Sequence, residues 1–160
     1  MSSSSELVAV DLSRDERDFI GQTLLQWETS AASAPFPFQV LGFSTWEEFG
    51  GLVLRLERAV GAGEALTELD WVRVLFLTEV TFASDLIGSG TEFEMMTRIS
   101  DAEALSVLRG LQRKIGGFRR AKLLFPHGGR TRTAEEIEEI ERWGERVRRE
   151  QQGRVYPPRL

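Results

Sequence analysis

The sequence predicts an all-α protein: a single-domain bundle of four to five helices, with a central buried helix at about 68–87 and a peripheral charged C-terminal helix. Three observations carry this. Ser or Thr followed three residues later by an acid recurs at Ser13/Glu16, Ser44/Glu47, Thr67/Asp70, Thr91/Glu94, Ser100/Glu103 and Thr133/Glu136. That is the signature of a helix start that satisfies its own orphan amides. Most of these pairs precede apolar residues at helical spacing. The stretch Trp71–Ile87 is apolar on nearly every side, as a helix surrounded by other helices must be.

The elements follow in order. Residues 1–11 read as a flexible lead, from which Leu7, Val8 and Val10 can tack onto the body. A first helix is expected from about Arg14 to Ala31, its buried face Phe19, Ile20, Thr23, Leu24 and Trp27. Pro35 and Pro37 then force extended or turned backbone. The loop around Phe36, Phe38, Val40, Leu41 and Phe43 reads as a lid over one end of the bundle, with an exposed partner patch as the alternative. A second helix spans about Thr45–Val60, with Trp46, Phe49, Val53, Leu56 and Val60 as its stripe, and Gly61-Ala62-Gly63 ends it.

The third helix begins after Thr67, with Leu66 and Trp71 at hydrophobic-staple positions. Its expected core face includes Trp71, Leu75, Thr78, Phe82 and Leu86, and Gly88-Ser89-Gly90 closes it. A fourth helix starts at Ser100, carries Leu105, Leu108, Leu111, Gln112 and Ile115, and breaks at Gly116-Gly117. Phe118–Phe125 is a short basic amphipathic piece, followed by a Pro126–Gly129 turn. The last helix covers about Ala134–Gln152. Its stripe of Ile137, Ile140, Gly144 and Val147 is thin, and Glu138/Arg142 and Glu145/Arg149 have ion-pair spacing. The tail from Arg154 to Leu160 cannot extend a helix. The organisation expected is therefore a helical body over 1–132 and a peripheral charged helix and tail over 133–160, in one domain.

Charge is segregated. Residues 1–108 hold eighteen acids against six bases, whereas Arg109–Arg132 holds eight bases and no acid. Such a segment meets something negative, either its own body or a partner. Arg113, Lys114, Phe118, Arg119, Arg120, Lys122, Arg130 and Arg132 are the candidate binding residues. The cations suit carboxylates or phosphates, and Phe118 and Phe125 could stack on bases. Pairing with carboxylates is the favoured expectation, because no nucleic-acid fingerprint accompanies the basic run.

Composition removes several chemistries. The chain has no cysteine, so disulfides, thiolate metal sites and cysteine nucleophiles are excluded. Its one histidine, His127, sits in a Pro/Gly turn, where an exposed loop residue is commoner than a catalytic base. Gly88-Ser89-Gly90-Thr91 lacks the full phosphate-loop pattern and reads better as a helix stop followed by a cap. Glu79, midway along the most apolar helix, is expected to be ion-paired with Arg109 or Arg113 or to lie on a wet helix edge; a general acid or base is the sharper alternative. Glu79, Asp85, Glu92 and Glu94 are a possible magnesium cluster, and the E-x-x-E pairs Glu135/Glu138 and Glu136/Glu139 read better as a solvated helix face. No cofactor or metal is expected.

No apolar run approaches a membrane span, and the first residues lack a secretory pattern, so cytoplasm is the expected location. Eighteen Arg against two Lys suggests a GC-rich bacterial source. The function expected is binding of another protein without catalysis, as an acidic inhibitor or an immunity- or antitoxin-type regulator. The alternatives are an RNA- or phosphate-binding accessory protein using segment 109–132, and a carboxylate-dependent hydrolase centred on Glu79. A second copy of the chain is a further candidate partner, through the last helix.

Overall fold

Each long helix begins where a hydroxyl can cap it. In the structure, a computed structural model that describes residues 5–152, Ser13 accepts from the Glu16 amide at 3.1 Å while Glu16 accepts from the Ser13 amide at 2.8 Å. This box opens α1 (Arg14–Leu25). Thr45 caps α2 (Trp46–Ala62), Thr67 caps α3 (Glu68–Ala83), and a Ser100/Glu103 box opens α5 (Asp101–Ile115). The Thr133 and Glu136 amides and side chains bond reciprocally at the start of α7 (Ala134–Gln152). Between these lie α4 (Phe93–Thr97) and α6 (Phe118–Leu124). The protein is all-α apart from a two-residue strand pair, β1 (Leu7–Val8) and β2 (Leu66–Thr67), antiparallel with Leu7 opposite Thr67.

The chain divides into two compact units, Met1–His127 and Gly128–Leu160. In the first, α3 is central, packed by α1, α5 and α6. Trp71, Val74, Leu75 and Leu77 of α3 join Phe19, Ile20 and Leu24 of α1, Phe49, Val53 and Leu56 of α2, and Leu111 and Ile115 of α5 in one buried core. The Trp71 indole donates to the Val8 carbonyl at 2.8 Å, which fastens the N-terminal strand to the central helix. Thr23 and Thr78 share a hydrogen bond of 3.1 Å inside the α1–α3 contact. The Pro-flanked loop is a lid: Phe36 and Leu41 are buried, and Phe36 lies 4.7 Å from the Trp27 ring and 5.6 Å from Phe49.

Several expected boundaries move. Regular α-helix stops at Leu25 rather than Ala31, and the chain continues as 3-10 turns to Ser33. Thr29 departs from helical backbone (φ −125°, ψ −99°), and its hydroxyl bonds back to the Leu25 carbonyl. The cap of α2 is Thr45 with Glu48, one residue beyond the expected Ser44/Glu47 pair, although the Ser44 amide also reaches Glu48. Thr91 caps nothing; its amide and hydroxyl both bond Asp85.

The central helix ends at Ala83, four residues short of expectation. Ser84 is extended, and the chain turns back so that the Ser89 amide reaches the Thr81 carbonyl at 2.7 Å. A Cβ on Gly88 would lie 2.1 Å from the Val80 carbonyl oxygen, so only glycine passes there. The buried Ser89 hydroxyl donates to the Gln26 side chain. Leu86 is thereby 87% exposed rather than core, and Leu105, expected on the α5 stripe, is also exposed. Residues 1–4 of the expected lead, and the expected non-helical tail, lie outside the described residues. Among those described, no helix is long and apolar enough to cross a membrane.

Leu75 sits in this core and Leu86 outside it. Leu75→Ala should cost about 2–5 kcal/mol, the range for a large-to-small core change. Leu86→Ala should fall within about 0.5 kcal/mol of wild type. Denaturant titration of both variants checks the placement of the α3 terminus; equal losses would contradict it.

Candidate functional site

The basic segment begins on the last turns of α5 and passes through a two-glycine corner. A Cβ on Gly116 would sit 2.4 Å from the Gln112 carbonyl oxygen, and Gly117 has φ +116°. Both positions therefore need glycine, and the corner turns α6 onto the face of α3. Leu124 is buried there, and the Phe125 ring meets Phe76 edge-on at 5.4 Å.

Three of the predicted cations are occupied within the body. Lys114 Nζ donates to Glu16 at 2.6 Å and to the Asp11 carbonyl at 2.7 Å. Glu16 is nearly buried, with its side chain 10% exposed. Burial opposes its charge, but the Lys114 ammonium and the Ser13 amide and hydroxyl outweigh burial and hold its carboxyl below the ordinary carboxylate range. Arg119 reaches Glu68, in the first turn of α3, at 3.3 Å. Arg120 lies 4.0 Å from the same carboxylate and donates to the Lys114 carbonyl at 3.0 Å, satisfying one open acceptor at the end of α5.

The remaining members face outward. Phe118 is 70% exposed, with the Lys122 ammonium 5.3 Å from its ring centre. Leu123, next to Lys122 in sequence, is also exposed. Arg113 is exposed and has no ion-pair partner among the described residues. Arg130 and Arg132 belong to the second unit. There Arg130 grips Glu136 through two nitrogens, at 3.0 and 2.6 Å, and its guanidinium keeps the Glu136 carboxyl below its usual range. Arg132 is exposed.

Glu79 pairs with neither expected arginine. It is half-buried and accepts from Gln112 Nε2 at 2.7 Å, while Arg109 donates to Gln112 Oε1 at 2.6 Å. The Gln112 amide thus bridges the Arg109 guanidinium and the Glu79 carboxylate. Gln112 rather than Arg113 holds the position because the α5 face turned to α3 carries Leu108, Leu111 and Ile115, and Arg113 is rotated off it. Glu79 and Gln112 stand at the edge of a cavity of about 370 Å³ lined by Leu75, Phe76 and Phe118. Asp85 of the suggested magnesium group is turned to Thr91. His127 is exposed at the end of the first unit.

Sequence reading missed two acids that organise this region. Asp70, 9% exposed at its side chain, bridges Arg55 at 3.0 Å and Arg73 at 3.2 Å. It stood in a capping pair, as did Glu16, so each already had a local role; only the fold shows that each also holds a distant cation. Searches against protein families, curated proteins and solved structures return no match for this chain.

A group whose folded pKa is depressed contributes stability above its unfolded pKa and loses it as pH falls through the folded one. Lys114→Met should therefore cost about 1–3 kcal/mol at neutral pH, as for a charged hydrogen bond. The gap to wild type should narrow as acid protonates Glu16. Melting curves of both proteins from neutral pH into the acid range test this, and a gap that persists undiminished would contradict the pairing. Separately, Arg119→Glu with Arg120→Glu should accelerate amide exchange across 118–125 while α1 and α2 stay protected.

Proposed function

We propose that this chain acts by binding another protein, without catalysis, through the outer surface of α5 and α6. The observation that carries the reading is Phe118. Every other aromatic ring in the described part of the first unit is buried or half-buried, whereas Phe118 is 70% exposed. Aromatic side chains and Arg are enriched at protein interfaces and anchor many of them. Lys122 over its ring and Arg113 at the end of α5 supply a cationic rim suited to carboxylates on the partner.

The commitments of Lys114, Arg119 and Arg120 to Glu16 and Glu68 favour a protein over a nucleic acid. Few cations of the body's basic segment are left for phosphates, and phosphate neutralisation supplies most nucleic-acid affinity. A finer reading is an inhibitor of the immunity or antitoxin type in a bacterial cytoplasm. The excess of acids in residues 1–108, the cysteine-free composition and the arginine bias support it.

Phe118→Ala with Lys122→Glu tests the surface. The wild type should retain a defined protein from native extract, and the double variant should lose it while keeping its helical signal. A labelled single-stranded RNA should show negligible binding to either at physiological salt. Strong RNA binding by the wild type that falls steeply with salt and disappears in the double variant would replace the protein reading with the nucleic-acid one.

A further inference from the structure

The second unit holds α7, whose sequence carries two patterns at once. Ile137, Ile140, Gly144 and Val147 follow one another at spacings of three, four and three residues, the a/d seam of a coiled coil. Ile137 and Ile140 are 46% and 44% exposed, and Trp143 beside the seam is 60% exposed. Gly144 makes a hole in it: an added Cβ there would find only the Arg148 guanidinium within 4 Å, at 3.9 Å.

The second pattern is charge. Residues 134–141 hold five Glu and no base, whereas residues 142–150 hold four Arg and two Glu. Little of this is neutralised along the helix. Glu145 pairs with Arg149 at 3.5 Å. Arg142, expected to meet the Glu138 carboxylate, donates instead to the Glu138 carbonyl at 3.3 Å. The helix dipole accounts for acids in the first turn and bases in the last. It does not reach Glu138, Glu139, Glu141, Arg142 or Arg146, which have no ion-pair partner among the described residues.

We infer that α7 pairs antiparallel with α7 of a second copy of this chain, about a two-fold axis near Arg142. An isologous contact sets the same surface against itself, reversed. Ile137 then lies opposite Val147 of the other copy, and Ile140 seats in the hole at Gly144. The acidic half of each helix runs beside the basic half of the other. A parallel pair would set acids against acids and bases against bases, so charge selects the orientation. The inference does not depend on what the α5–α6 surface binds.

The absence of native cysteine makes the test direct. Sedimentation of the full chain at micromolar concentration should give a dimer of the 18.1 kDa protomer. Ile140→Lys should shift it to monomer with unchanged helical signal. Ile137→Cys and Val147→Cys, each alone under oxidant, should stay unlinked, and their equimolar mixture should form a disulfide-linked dimer. Self-linking of either single variant would show a parallel pair and overturn the inference. So would a wild type that stays monomeric, or a dimer indifferent to Ile140→Lys.

Discussion

Burial of α3 on three sides governs this fold. A helix so placed cannot leave a polar group unsatisfied without a cost of a few kcal/mol. Four polar residues on α3 therefore each take a partner on a different neighbour. Thr78 meets Thr23 of α1, Asp70 takes Arg55 of α2, Glu79 takes Gln112 of α5, and Glu68 takes Arg119 of α6. Apolar contact alone tolerates rotation and sliding of one helix on another. These directional bonds do not, so they select one arrangement among several that would bury similar area.

The same economy divides the charges. The basic run looks in sequence like one feature, yet the structure gives its members different work. Lys114 joins the end of α5 to the start of α1, Arg119 and Arg120 seat α6, and Arg130 grips Glu136. What remains outward is a small patch around Phe118. Half of the eight cations in the run are thus spent on ion pairs within the chain.

The helix starts were legible because a capping box is local: Ser13, Thr67, Ser100 and Thr133 each need only the next three residues. The ends were less so. Val80–Ile87 reads as continuous helix, and the stop after Ala83 depends on Ser89 reaching back to Thr81 and Gln26. That contact belongs to tertiary structure. The candidate site was half legible for the same reason. Composition marked the cations, but Glu16, Glu68 and Gln112 were chosen by helix packing across tens of residues, where spacing carries no signal.

Lys114 and Glu16 stand ninety-eight positions apart along the chain. A ribosome delivers residues in order, so α1 emerges long before the ammonium that neutralises its buried carboxylate. Until α5 has been made, Glu16 has only its local capping bonds to Ser13 and stays open to water. The earliest helix of this protein is thus among the last to be secured. A chain interrupted before residue 101 would lack α5 and leave the α1 face that α5 covers open to water.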